Sequence, residues 1–376
     1  MGPALPVRIR RKLRGAGRRW REARMFARAM ASPRHPIVVH LIPIRRCNLA
    51  CAYCNEYDDF SPPVPLETLQ RRVDLLASLG TTIITLSGGE PLLHPELDAL
   101  IRHIRRRGIL ATVITNGYLL TPERIRRLNH AGLDYLQISI DNLRPDNISM
   151  KSLKVLDQKL RWLAAHAEFA VTINSVLGGG MPNPEDALAI ARRARELGFT
   201  ATVGLLHAPG GHVQPLTARE REVYEQILEL GKSLYSFAHY DRFQKNLVRG
   251  LPNEWHCRAG SRYLYVCEDG LVHWCSQQRG YPGIPLEEYT RAHLEREYRT
   301  VKPCAPYCTV SCVHQTAMVD WFREHPREAL TQLVHSVGAR SPSSARLLAW
   351  LLLDTRNRRL FQKLALRVLG IERRAA

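Results

Sequence analysis

Between residues 36 and 207 the chain alternates short β-branched apolar runs with helical stretches, six times in succession. Ile37–Ile44, Thr81–Leu86, Ile109–Thr115, Asp134–Asp141, Phe169–Leu177 and Thr200–His207 have strand character. Leu66–Leu79, Pro95–Arg107 and a segment from about Ser152 have helical character, as does one that begins near Pro184 and closes at Gly198. Thr121-Pro122-Glu123 opens a further helix, since a threonine cap followed by a first-turn proline suits a helix start. Strand–helix repeats of this kind build a parallel sheet with helices on its outer face. Six units fall short of the eight that close a barrel. The expected fold is therefore α/β, an open partial (β/α)6 barrel over residues 36–215. A basic amphipathic helix over 1–35 precedes it. Connecting helices over 216–254, including a long amphipathic one at Thr217–His239, follow it. A cysteine-rich extension over 255–326 and basic, apolar helices over 327–376 complete the chain.

In such a sheet, ligand-binding residues gather at the carboxyl ends of the strands. Cys47, Gly88-Gly89-Glu90, Asn116-Gly117 and Ser139-Ile140-Asp141 all fall there, after four successive strands, and would share one mouth. With 45% apolar and 24% charged residues the chain has the balance of a soluble globular protein. Its longest apolar run, Leu347–Leu353, is far shorter than the roughly 20 residues a membrane-spanning helix needs. No apolar segment of a signal peptide follows the first basic residues, so a cytoplasmic location is expected.

The net charge of +19 sits at the ends: residues 1–35 carry +10, residues 337–376 carry +7, and the body carries only +2. An enzyme of nucleic acids usually spreads a basic groove through its body, so nucleic acid is not an expected partner. Ile9, Leu13, Ala16, Trp20, Ala23, Ala27 and Met30 recur at steps of four and three, with Arg10, Arg14, Arg18, Arg21, Arg24 and Arg28 beside them. Near the other end, Leu347, Trp350, Leu360, Phe361 and Leu364 stand among Arg356, Arg358, Arg359 and Lys363. Basic helices with a Trp/Leu face suit an anionic membrane surface, peripherally on its inner side. The alternative is that both pack their apolar faces inward on the barrel with the basic side solvated.

Nine cysteines fall in two regions, an odd count that argues against a disulfide framework and for two metal sites. Cys47, Cys51 and Cys54 give CxxxCxxC directly after the first strand. Soft thiolates select zinc, copper or iron–sulfur. A structural zinc site prefers four protein ligands, and no fourth Cys or His lies close in this loop. Three ligands would leave one iron of a cubane open.

CxxxCxxC with Tyr53 before the third cysteine, then Gly88-Gly89-Glu90-Pro91, Thr115-Asn116-Gly117 and Ser139-Ile140-Asp141 in that order, resembles the radical S-adenosylmethionine superfamily over residues 36–207. The resemblance implies that Cys47, Cys51 and Cys54 hold a [4Fe–4S] cluster whose open iron chelates S-adenosylmethionine. It places Gly88, Gly89 and Glu90 near the methionyl amino group. Asn116, Ser139 and Asp141 fall among the other cofactor contacts, with Asn174 a ribose candidate. It further implies a flavodoxin or ferredoxin as electron donor, and a 5′-deoxyadenosyl radical that abstracts hydrogen from a substrate. Cofactor chemistry of this kind leaves positioning and water exclusion to the protein.

Cys257, followed at a distance by Gly270-x4-Cys275 and then by Cys304, Cys308 and Cys312, resembles the auxiliary-cluster extensions of that superfamily, the SPASM and twitch types. Only Cys308-x3-Cys312 fits the downstream part of the full two-cluster pattern. Six cysteines beyond residue 54 are too few for two fully ligated cubanes. One auxiliary iron–sulfur cluster is expected, on Cys257, Cys275 and two of Cys304, Cys308 and Cys312, with Cys267 spare. A four-cysteine zinc site has the same spacing logic. His207, at the end of the sixth strand, faces the expected mouth but suits a structural role, and Gly178-Gly179-Gly180 suits a flexible loop. The basic ends favour a lipid or isoprenoid substrate. The alternatives are a maturase of a peptide or cofactor and, in another class, a zinc-stapled binding protein. A peptide substrate usually comes with a recognition domain, for which 35 residues ahead of the barrel are few.

Overall fold

The computed structural model describes residues 6–206, 213–230, 240–329 and 331. Six parallel strands form the body: β1 (Val38–Ile44), β2 (Ile83–Gly88), β3 (Leu110–Thr115), β4 (Tyr135–Ser139), β5 (Ala170–Leu177) and β6 (Thr200–Leu205). They lie in chain order and the sheet stays open, as the count of repeats requires. Between them run α2 (Leu66–Leu79), α3 (Leu97–Arg106), α4 (Pro122–Ala131), α5 (Leu153–His166) and α6 (Pro184–Glu196). Thr121 caps α4 by accepting the Arg124 amide at 3.1 Å.

Strand parity separates two faces. Val39, Leu41, Ile84, Leu86, Ala111, Val113, Leu136, Ile138, Val171 and Ile173 join the main core with the apolar stripes of the helices. The opposite parity carries His40, Thr85, Ser87, Thr112, Gln137, Ser139, Thr172 and Asn174. Val38, Ile42, Ile83, Leu110 and Ile114 share that parity, so the inner face sets polar groups among apolar ones, which suits a binding surface.

The sheet does not stop at β1. β7 (Tyr263–Val266) adds to its free edge in parallel register, Val38 opposite Tyr263 and His40 opposite Tyr265. β8 (Leu271–His273) and β9 (Pro282–Pro285) continue antiparallel, giving nine strands. Glu268-Asp269-Gly270 between Tyr263–Val266 and Leu271–Trp274 makes the β7–β8 hairpin legible in the sequence. Its docking is not, because edge pairing is made by backbone groups that any residue supplies. α7 (Ala218–Leu230) occupies the first part of the long helix expected at Thr217–His239; residues 231–239, His207 and the C-terminal helices expected over 332–376 lie outside the described residues. α8 (Tyr240–Val248), α9 (Arg291–Arg299) and α10 (Ser311–Glu324) complete the described part.

α1 (Val7–Ala31) crosses the end of the barrel where strands begin. Its basic side packs inward. Arg10 and Arg14 pair with the buried Glu168 at 2.7 and 2.8 Å, and Arg21 pairs with the buried Asp134. Arg11 donates to the carbonyls of Ala164 and Ala167, and Arg14 to that of Asn129, at the carboxyl ends of α5 and α4. Guanidinium groups therefore meet the negative ends of two helix dipoles. Ile9, Leu13 and Trp20 face outward at 43, 61 and 51% exposure, flanked by exposed Arg8, Lys12, Arg19 and Arg24. This corrects the alternative of an inward apolar face: acids and helix ends at the foot of the barrel attract arginines, not leucines. Buried Arg262 fixes the exit of α1, donating to the carbonyls of Ala29, Ser32 and His35 while it pairs with buried Asp320 at 3.2 Å. Among the described residues no helix is long and apolar enough to cross a membrane.

Candidate functional site

The loop after β1 carries Cys47, Cys51 and Cys54 and is tied down at both sides. The Cys47 amide donates to Asp58 at 2.9 Å, and the Ala52 amide to Ile148 at 2.9 Å. All three thiols line one cavity of about 250 Å³, together with Gly88, Gly89, Thr115, Asn116 and Ser139. Four strand ends meet there, as the positions in the sequence require.

Gly88 and Gly89 owe their identity to packing. Gly88 has φ +111°, a conformation side chains rarely adopt. A Cβ on Gly89 would stand 2.1 Å from the Arg45 carbonyl and 2.3 Å from that of Arg46. The turn therefore fits directly beneath the cysteine loop, with the Glu90 amide bonded to Arg46 at 3.0 Å. The Glu90 side chain, fully buried, braces the turn from behind the cavity lining. It accepts from the Leu92 amide at 2.9 Å, the Thr115 hydroxyl at 2.7 Å and the Asn116 amide at 2.8 Å. Asn116 in turn donates to Asn48 at 2.8 Å and reaches the Cys47 sulfur at 3.7 Å.

Asp141 and Asn174 also stand behind the lining. Asn174 accepts from the Thr202 hydroxyl at 2.9 Å and lies in register with Ser139. Asp141 is buried in a network with Tyr53, Ser149 and Lys151: Ser149 donates to it at 2.7 Å, Lys151 lies 3.1 Å away, and the Tyr53 hydroxyl bonds to it. Burial alone would lower the Lys151 ammonium, but Asp141, Tyr53 and Cys51 around it hold it well above the ordinary lysine range. The segment that carries Ser149 and Lys151 thus clamps the cysteine loop, and Ser149 reaches the Cys51 sulfur at 3.6 Å.

The same cavity has a second wall that the sequence analysis missed. His40, Glu56, Tyr263, Ser276 and Val310 line it, three of them from the cysteine-rich extension. Behind that wall, burial pushes Cys257 up to about 11 and Cys275 up to about 12. Cys308 is raised by burial and then by Cys257, Cys275 and Cys304 nearby. Cys312, raised to about 11 by burial, sits toward Tyr263 instead. Cys267 belongs to another group, its ligand atom within 4.8 Å of those of Asp269 and His273.

Residues 41–216 match the family described as the radical SAM superfamily. The chain carries that domain over those residues, just under half of its length. The particular relatives differ in what they do. The chain is 35% identical over 132 residues to the Fe-coproporphyrin III synthase of Methanosarcina barkeri, covering 34% of this chain and 33% of that protein. It is 33% identical over 169 residues to the GTP 3′,8-cyclase of Aquifex aeolicus, covering 41 and 52%. It is 36% identical over 114 residues to the PqqA peptide cyclase of Ruegeria pomeroyi, covering 30% of each. The chain thus spans from about a third to about half of the length of these relatives. Its fold is similar to that of Streptococcus suis SuiB bound to S-adenosylmethionine, with a TM-score of 0.53 at 14% identity over 73% of this chain and 72% of that one.

The superfamily's cofactors are a [4Fe–4S] cluster and S-adenosylmethionine, and the donor set fits them. Three thiols converge on one cavity whose rim supplies an amide donor, a hydroxyl and a glycine turn. Burial raises the thiols of Cys47 and Cys54, so in a metal-free chain they hold their protons, and a bound cation must displace them.

Proposed function

We propose that this protein is a radical S-adenosylmethionine maturase acting on a peptide or cofactor precursor, with one auxiliary iron–sulfur cluster beside the substrate. The observation that carries the reading is the single cavity walled on one side by Cys47, Cys51 and Cys54 and on the other by residues of the cysteine-rich extension. When bound, the cluster and S-adenosylmethionine supply a 5′-deoxyadenosyl radical that takes hydrogen from a C–H bond. The chain's own part is positioning. Cys47, Cys51 and Cys54 hold the first cluster, the Gly88-Gly89 turn and Asn116 steady the loop, and Ser139 contacts the nucleoside. Glu90, Asp141 and Asn174 act from behind, holding those groups in place. Cys257, Cys275, Cys304 and Cys308 are the auxiliary ligands. A flavodoxin or ferredoxin is the proposed electron donor.

The relatives' names give an iron porphyrin, GTP and a peptide. A lipid or isoprenoid substrate, favoured by the basic ends alone, finds no support among them. The outward face of α1 also lies at the foot of the barrel, away from the strand ends that hold the cavity. Comparing small molecules and peptides from cells with and without the gene tests the substrate class. A modified peptide or cofactor precursor that disappears with the gene is expected; a change confined to lipids would contradict it.

The same α1 face supports peripheral docking on an anionic membrane. Its exposed Ile9, Leu13 and Trp20 would enter the headgroup region, and each nearby Arg or Lys adds about 1 kcal/mol. The full chain should sediment with anionic vesicles at low salt and be released at moderate salt, and a Leu13→Asp/Trp20→Asp variant should stay in the supernatant. Equal sedimentation of that variant would remove the α1 face from the account.

A further inference from the structure

A row of polar residues on the inner face of the barrel continues past β1 onto the added strands. His40, Tyr265 and His273 are register partners across β1, β7 and β8. His40 is 9% exposed, and its ring lies 5.2 Å from that of Tyr263. Its Nδ1 is 3.1 Å from the Ser87 hydroxyl, whereas its Nε2 has no partner in the protein although the ring lines the cavity. With Ser87 donating to Nδ1, the neutral ring carries its proton on Nε2 and offers a single donor. Burial holds this imidazole down to about 4, so it is neutral at pH 7.

Glu56 lines the same cavity from the loop just beyond Cys54. Burial raises its carboxyl, and Arg279 together with side-chain bonds from Tyr265 and Ser276 opposes that. Two such bonds leave a carboxylate with room to accept another. One donor and one acceptor therefore stand beside the cofactor residues, on the side where the extension closes the cavity. A hydrocarbon placed there would leave both unpaired, which is costly in a buried site. An amide satisfies both, its carbonyl accepting and its N–H donating.

We infer that His40 and Glu56 form a substrate subsite for a peptide amide, the Nε2–H donating to the carbonyl oxygen and the Glu56 carboxylate accepting the amide N–H. The inference rests on the radical reading and names its substrate class. The probe is N-acetylglycine methylamide deuterated at its α-carbon, given to the anaerobically reconstituted, S-adenosylmethionine-loaded enzyme with dithionite. Abstraction transfers one deuterium atom to the 5′-deoxyadenosyl radical and leaves a carbon radical, which takes an electron from dithionite and a proton from water. The wild type should form 5′-deoxyadenosine carrying one deuterium. In His40→Phe and in Glu56→Gln the deuterated fraction should fall about tenfold, the worth of one good hydrogen bond, with the iron content of each variant as the check on folding and cluster loading. His40→Gln, which keeps an N–H donor, should recover part of the loss. Product without deuterium in the wild type, or an unchanged deuterated fraction in both variants, would overturn the subsite alone. No 5′-deoxyadenosine from the wild type would overturn the radical reading and the subsite with it.

Discussion

Replacing Cys47, Cys51 and Cys54 together by Ala should reduce 5′-deoxyadenosine formation to the level of an enzyme-free control, while the reconstituted variant still holds about four irons per chain. The three thiols share one cavity, and Cys308 with Cys257, Cys275 and Cys304 near it lies on other elements. Loss of the first set leaves β7, β8 and α10, which position the second, intact. Retained 5′-deoxyadenosine would remove the assignment of the loop. Loss of all iron would instead show that the second set binds none.

Lys151→Met should be the most damaging single change away from the cysteines. Asp141 is 1% exposed, and Lys151 is its cationic neighbour at 3.1 Å. Removing one member of a buried pair typically costs about 3–5 kcal/mol, because the remaining charge is stranded. The loss falls on the clamp over Cys51 and Ala52, so cluster occupancy should drop along with the denaturation midpoint. Adding Asp141→Asn should recover much of the stability, since it removes the stranded charge. Iron content and urea titrations of the two variants measure this. If Lys151→Met matches the wild type in both, the network is not what holds the loop.

What the sequence disclosed follows from period and spacing. Alternation along β1 to β6 set the polar and apolar faces, and Cys47, Gly88, Asn116 and Ser139 follow their strands at positions that force them to one mouth. Glu90, which the resemblance places near the methionyl amino group, accepts from Thr115 and Asn116, a pairing that a one-dimensional motif does not reveal. Lys151, His40 and Glu56 carry no spacing signal, because their neighbours Asp141, Ser87 and Tyr265 come from other elements. The choice between Cys308 and Cys312 was equally out of reach, since both fall near the start of α10 and only its docking separates them. For α1 the pattern gave the stripe but not its direction, which Glu168, Asp134 and two helix ends decide.

The most direct test of the central claim is to reduce the wild-type protein anaerobically with S-adenosylmethionine and measure 5′-deoxyadenosine together with iron, sulfide and zinc. The account predicts 5′-deoxyadenosine and methionine in equal amounts from a protein holding about eight irons and eight sulfides per chain, without zinc. A colourless protein that holds zinc at its cysteines and forms no 5′-deoxyadenosine would contradict it.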